Sequence, residues 1–279
     1  MKKKKSVKKT HKTYTDKLLQ WTLVVAVSTL FVLGTAEVMN RMGERFVVEA
    51  SNSDTADLDH YELGQYYFNH GPHADGTYDL RQARQHFWQA IVENPKGHHM
   101  AWYQLGRIDF LEGKFDDAIY KFNMQRAYFG DSVPSVHYML GLTYGYKARR
   151  HESAYDWKQA EDGFKTYIDF TPFSPWARVD LAWVYFSQGK FEEMLPILEE
   201  GIEYHRDNPW LHNMYGLALL NTGQKEEARA HFELASELAS YLTPEEWGMS
   251  YPGNDPESWE FGLEEFRGLI DQNIALVSE

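Results

Sequence analysis

One spacing of aliphatic, small and aromatic residues returns along most of the chain and restricts what it can fold into. In residues 101–122, Leu105 and Gly106 are followed by Ala118 and Phe122. Similar spacings, with substitutions, begin at four further positions: Leu63, Leu140, Leu181 and Gly216. A short unit that recurs in this way cannot bury its apolar face alone and is stabilised by stacking on its neighbours. The spacing predicts five tandem helical units between residues 57 and 242.

The residue types at the recurring positions are typical of two closely packed helices in each unit. Gly106 and Ala118 let the helices approach each other, while Leu105 and Phe122 are expected to fill the space between units. Glycines mark the turns between helices in three similar segments: EGKFDD, SQGKFEE and NTGQKEE. Prolines fall at or near the unit boundaries, at Pro95, Pro134, Pro172 and Pro209.

The pattern resembles the tetratricopeptide repeat, W-x2-L-G-x2-Y followed by A-x3-F and P, in units of about 34 residues. The resemblance covers residues 57–242 and implies an all-α fold, an α-α solenoid of about five helix pairs. Asp109 stands where the second unit should have an aromatic residue, so we expect that helix to be slightly rotated. In the fourth unit Met194 and Leu198 replace Ala and Phe, and Pro196 lies in the first turns of the second helix.

Residues 243–279 predict a loop followed by a helix that caps the array. Asp255 and Pro256 have the residue types of a helix N-cap and first helical position. After them, apolar residues recur at intervals of three and four: Trp259, Leu263, Phe266, Ile270, Ile274 and Val277. We expect this helix to cover the exposed face of the last repeat, because the ends of a solenoid need a cap.

The first 56 residues differ in composition from the rest. Residues 1–17 hold eight lysines and one acid, and residues 18–36 carry no charge. At about 1.5 Å per residue the uncharged segment spans roughly 28 Å, close to the hydrocarbon thickness of a bilayer. We expect a basic cytoplasmic tail (1–17), a single transmembrane helix (18–36) and a linker (37–56). The small residues at 34–36 leave a cleaved signal peptide as an alternative.

This topology predicts a single-pass membrane protein whose N-terminus is cytoplasmic and whose body is extracytoplasmic, either periplasmic or at the cell surface. The 20 basic and 40 acidic residues after position 17 give that body a charge of −20. An acidic body repels phosphate backbones, so no nucleic-acid partner is predicted. The absence of cysteine excludes disulfides, thiolate nucleophiles and sulfur-ligated zinc. No catalytic or phosphate-binding motif is present, and we predict no enzyme activity, cofactor or metal.

The resemblance implies that the first helix of each unit lines a concave groove that binds a protein or peptide. The repeat spacing selects these groove positions: Tyr61, Gln65, Phe68, Tyr103, Arg107, Phe110, Tyr138, Leu142, Tyr146, Trp183, Phe186, Asn213 and Leu217. Most are aromatic, and Tyr and Trp are enriched at interfaces. Members that bind chaperone tails have Lys and Asn where this chain has Tyr61 and Gln65, so chaperone tails are not expected ligands.

Two insertions of seven residues lie between the helices of the first and third units. The first contains Gly71, Pro72 and Gly76 and predicts a true loop, whereas the third-unit insertion lacks Gly and Pro and predicts helices longer by about a turn. Both fall on one edge of the array, for which we predict a docking role carried by His70, His73, Asp75, Arg149, Arg150 and His151. A metal site is the alternative for the loop, with the ligands His70, His73, Asp75 and Asp79.

These features favour a membrane-anchored, extracytoplasmic scaffold or adaptor that binds proteins, in the assembly or stabilisation of an envelope or membrane complex. Two alternatives stay open. The chain could be an enzyme or a metal- or cofactor-binding protein that uses the repeat body as a frame. It could also be a membrane adaptor whose body faces the cytoplasm.

Overall fold

The computed structural model describes residues 55, 57–95, 100–131, 133–250 and 253–278, which belong to the compact unit Glu49–Glu279. The predicted tail, transmembrane helix and linker lie outside the described residues, apart from Thr55. Among the helices of the described part, none combines the length and the apolar character needed to cross a membrane.

All regular structure in the described residues is helical. The α-helices are α1 (His60–Tyr67), α2 (Leu80–Glu93), α3 (Ala101–Leu111), α4 (Phe115–Phe129), α5 (Pro134–His151), α6 (Ala154–Phe170), α7 (Pro175–Ser187), α8 (Phe191–Tyr204), α9 (Pro209–Asn221), α10 (Lys225–Ser240), α11 (Pro244–Met249) and α12 (Trp259–Ser278). Helices α1 to α10 pack in consecutive pairs, and each pair packs on the next. These pairs, called units 1 to 5 below, confirm the predicted repeat array.

The small residues of the repeat lie where the two helices of a unit meet. A methyl group on Gly106 would stand 2.6 Å from the Phe122 ring, and one on Gly216 would stand 2.5 Å from the Phe232 ring. Both phenylalanines are fully buried. The aromatic ring of the second helix therefore packs on the glycine of the first helix within the same unit, and does not only fill the space between units.

The two insertions have the structures that their sequences predict. Helices α5 and α6 contain 18 and 17 residues, against 13 and 14 in α7 and α8. In unit 1, helix α1 has only eight residues, and a loop containing the 3-10 helix Gly71–His73 precedes α2. Gly71 and Gly76 both have positive φ, which explains the glycines in this loop.

Unit 4 keeps the repeat architecture despite its altered residues. Met194 and Leu198 are fully buried at the positions of the usual Ala and Phe. Helix α8 continues through Pro196, which lacks the N–H that would bond to the preceding turn. Packing of the apolar face therefore outweighs the lost hydrogen bond.

The C-terminal helix packs on the last unit of the array. Helix α12 packs on α10, and the Phe266 ring stacks on Trp210 with centroids 4.8 Å apart. Asp255 caps the 3-10 helix Pro256–Ser258, which leads directly into α12. The stretch before it differs from the predicted loop, because Thr243 and Glu246 form a capping box that starts the short helix α11.

Candidate interaction surface

The thirteen predicted groove residues fall into two classes of accessibility. Six remain partly accessible to solvent: Tyr61, Gln65, Tyr103, Tyr138, Tyr146 and Trp183. Seven are buried: Phe68, Arg107, Phe110, Leu142, Phe186, Asn213 and Leu217. The accessible set is almost entirely aromatic, and it is the part of the predicted surface that a partner can touch.

Aromatic contacts link the first helices of units 2, 3 and 4. The Phe110 ring of α3 meets the Tyr146 ring of α5 edge-on at 5.4 Å. Tyr146 in turn lies 5.2 Å from the Trp183 ring of α7. Large rings with few rotatable bonds present much contact area at small entropic cost. The repeat thus brings residues that are 36 and 37 positions apart into one aromatic row.

A carboxyl group that the repeat spacing did not select lies beside these rings. The Tyr138 hydroxyl donates a hydrogen bond of 2.5 Å to Oδ2 of Asp180. Burial raises the pKa of Asp180 to about 7, and the hydrogen bond from Tyr138 offsets only part of that effect. The signal in the sequence is the single acid of α7, which stands between Val179 and Leu181.

The groove residues of units 1 and 2 contact the chain's own C-terminal segment. The Arg107 guanidinium lies 4.7 Å over the Phe68 ring, and its Nη2 donates to Oδ1 of Asn254 at 3.2 Å. Asn254 Nδ2 donates to the Phe68 carbonyl at 3.0 Å, and Asn69 Nδ2 donates to the Asn254 carbonyl at 2.9 Å. Phe68 and Arg107 therefore hold the segment before α12 against unit 1.

The histidine-containing loop of unit 1 follows Asn69, the residue that bonds to Asn254, and is held by local hydrogen bonds. Asn69 has a left-handed backbone, and its Oδ1 accepts a hydrogen bond from the Gly76 N–H at 2.8 Å. Asp75 accepts from Thr77 N–H at 3.0 Å, and Asp79 caps α2. His73 lies in the 3-10 helix. Across the described residues, no group of three or more His, Asp or Glu side chains is arranged to hold a metal ion.

The second half of the predicted docking edge has different contacts. The Arg149 guanidinium lies 5.1 Å from the Tyr146 ring centroid, next to the aromatic row. Arg150 lies 4.7 Å over the Phe115 ring, while His151 is exposed at the end of α5. The unit 1 loop is held by its own hydrogen bonds and, through Asn69, by the C-terminal segment, whereas Arg149 and Arg150 contact rings of units 3 and 2.

Two histidine pairs occupy equivalent positions in units 1 and 5. The Nδ1 atoms of His60 and His86 are 2.8 Å apart, and those of His212 and His231 are 2.9 Å apart. In each pair the first histidine comes four residues before the repeat glycine and the second comes directly before the repeat phenylalanine. Each pair can form its hydrogen bond only while at least one ring is neutral. Neither pair was predicted from the sequence, although the histidines stand at matching repeat positions.

We expect His70, His86 and His231 to contribute stability that is lost as the pH is lowered from 7 to 4. Burial, with Arg107 nearby, lowers the pKa of His70 to about 4, and burial lowers the pKa of His86 and His231. These groups bind protons more readily in the unfolded chain. The stability they contribute is therefore present above about pH 6.5 and is lost as the pH falls toward their folded-state pKa.

Urea unfolding at pH 7, 6, 5 and 4 measures this dependence. Relative to the parent, the His70→Gln variant should become more stable as the pH falls over that range, because its buried site no longer titrates. Replacing the exposed His151 with Gln is the matched control and should leave the slope as it is. Equal slopes for the parent and His70→Gln would contradict the assignment of His70.

Comparisons with known proteins agree with the repeat architecture. Two family models, both described as tetratricopeptide repeat, match residues 175–200 and 197–230. A solved MamA protein is 19% identical, with a TM-score of 0.51 over 70% of this chain and 98% of its own. MamA AMB-1 is 18% identical, with a TM-score of 0.52 over 66% of this chain and 100% of its own.

A further MamA structure is 20% identical, with a TM-score of 0.50 over 58% of this chain and 90% of its own. At these identities the likeness concerns the fold alone. No curated protein matches the sequence significantly. The chain therefore carries tetratricopeptide repeats in an all-helical solenoid.

Proposed function

We propose that this protein is a membrane-anchored, extracytoplasmic scaffold that binds a protein or peptide partner in its groove and so assembles or stabilises an envelope or membrane complex. The anchor and the orientation rest on the charge pattern of residues 1–36. The repeat fold supports a protein as the partner. No catalytic step is part of the proposal.

The observation that carries the proposal is the partly accessible aromatic row that crosses from unit to unit. Tyr146 and Trp183 lie 5.2 Å apart on neighbouring units, and Tyr103 and Tyr138 stand on the corresponding helices α3 and α5. Aromatic side chains that are partly buried in a concavity supply most of the binding energy at many interfaces. An extended peptide laid across the first helices would contact these rings in succession.

Photocrosslinking in native membranes tests the proposal. Benzoylphenylalanine placed at Tyr103 or at Tyr146 should form a defined crosslinked product, since both rings are partly accessible at predicted groove positions. The matched control is the same replacement at Tyr120, which is 59% exposed on the second helix of unit 2. The product should appear in the membrane fraction and be degraded by protease added outside sealed spheroplasts.

Two results would count against the proposal. Crosslinking at Tyr120 that equals crosslinking at the groove positions would remove the groove as the binding surface. Protection of the body from external protease would refute its orientation. Once a partner is identified, Tyr146→Ala should weaken its binding by about tenfold or more, as expected for an aromatic residue in the centre of an interface.

A further inference from the structure

A carboxyl group without a cationic partner among the described residues bonds to Tyr138, one of the predicted groove residues. Asp180 lies half-buried on α7, and the hydrogen bond described for it comes from the neutral Tyr138 hydroxyl. Among the described residues, no Lys, Arg or His side chain forms an ion pair with Asp180. A carboxylate removed from water is unfavourable until a cation or several hydrogen bonds compensate it.

The surroundings of Asp180 are aromatic. Trp183 follows it by three residues on α7, so the two side chains project from neighbouring positions on the same helix. Tyr138 lies 5.2 Å from the Tyr167 ring, and Tyr146 lies 5.2 Å from Trp183. The faces of such rings attract cations, most strongly where water is partly excluded. The carboxyl and the rings thus favour the same kind of ligand.

The arginines of the adjoining helices make other contacts. Arg149 of α5 lies over the Tyr146 ring, 5.1 Å from its centroid. Arg107 is held by Phe68, Gln104 and Asn254. Arg178 donates to Glu200 at 2.6 Å, although it lies only two residues before Asp180. A cation for Asp180 is therefore most readily supplied from outside the chain.

We propose that Asp180 and the rings of Tyr138, Tyr146 and Trp183 form a site for a basic side chain, lysine or arginine, of a peptide bound in the groove. The inference rests on the groove binding proposed above and specifies the chemistry of the partner. The charge of −20 on residues 18–279 favours basic partners over acidic ones at long range as well.

The raised pKa of Asp180 predicts that the affinity for a basic peptide depends on pH. Because burial raises its pKa to about 7, the carboxyl of the free groove is partly protonated near neutral pH. A bound ammonium or guanidinium group favours the ionised form, so binding displaces the proton. Affinity for a basic peptide should therefore rise with pH until the free carboxyl is fully ionised.

A displayed library of random heptapeptides, selected on the full-length protein in mild detergent, tests the site. Peptides enriched on the parent should carry Lys or Arg at a common position. The Asp180→Asn variant, whose amide oxygen can still accept the Tyr138 hydrogen bond, should lose this preference. The matched control is Asp169→Asn, which removes the same charge from an exposed position on α6 and should retain the preference.

Calorimetry on one enriched lysine peptide measures how much the basic side chain contributes to its affinity. Its norleucine analogue should bind the parent at least about tenfold more weakly, because the analogue leaves the buried carboxyl unpaired. For a carboxyl with a pKa of about 7, binding of the lysine peptide should tighten about tenfold from pH 6 to pH 8. In Asp180→Asn this dependence on pH should disappear.

The outcomes separate this inference from the proposed function. Enriched peptides that bind Tyr146→Ala weakly but show no basic preference would overturn the inference and leave groove binding intact. Equal affinity of the lysine and norleucine peptides for the parent would also overturn it, without any protein variant. If no peptide is enriched on the parent, or if enriched peptides bind Tyr146→Ala as well as the parent, both proposals fail.

Discussion

Replacing Gly163 with alanine should destabilise the protein by about 3 kcal/mol, near the upper end of the usual cost of overpacking a core. The new methyl group would stand 2.8 Å from the Gly141 nitrogen and 2.9 Å from both the Gly141 Cα and the His137 carbonyl oxygen. All three atoms belong to the backbone of α5. No side-chain rotation can therefore relieve the contact, and α5 and α6 must move apart.

A second glycine provides the matched control. Gly268 lies inside α12, and a methyl group added there meets no atom within 4 Å. Gly268→Ala should stabilise the protein by about 0.5–1 kcal/mol, because alanine is the better helix former. Urea unfolding of both variants measures the difference. A Gly163→Ala protein as stable as Gly268→Ala would show that unit 3 does not depend on this close approach.

The fold was predictable because its main contacts are local and repeat. Gly106 and Phe122, which meet within unit 2, are only 16 residues apart, and the same relation recurs in other units. The contact between Asn69 and Asn254 joins residues 185 positions apart and belongs to no repeated pattern. Nothing in the local sequence indicates which distant segment an asparagine side chain will bond to.

The site was predictable only in part, for a similar reason. Repeat spacing placed Tyr146 and Trp183 on corresponding helices, and their rings meet. It did not select Asp180, because the environment of that carboxyl is created by Tyr138 of the preceding unit. The repeat spacing also did not predict that Arg107 contacts its own chain: its guanidinium donates a hydrogen bond to Asn254.

Removing the carboxylate of Asp109 should cost about 3–5 kcal/mol of stability, the usual result of breaking a buried ion pair by deleting one partner. Asp109 is 1% exposed and occupies the position where the repeat pattern has an aromatic residue. Its carboxylate pairs with Arg84 Nη1 of α2 at 2.5 Å and with Lys121 Nζ of α4. In Asp109→Ala the buried Lys121 ammonium is left without this carboxylate.

The cost should depend on the unpaired charge and not on the loss of an ion pair as such. Asp162→Ala removes a pair with Lys158 whose members are both exposed, and should leave the free energy of unfolding close to that of the parent. Replacing both buried groups, Asp109→Leu with Lys121→Met, should restore much of the stability lost in Asp109→Ala, because the buried ammonium is gone and Arg84 keeps its pair with Glu112. Urea unfolding of these variants measures their free energies of unfolding. A double variant as unstable as Asp109→Ala would mean that the ion pair itself, and not the avoidance of a buried charge, holds α3 and α4 together.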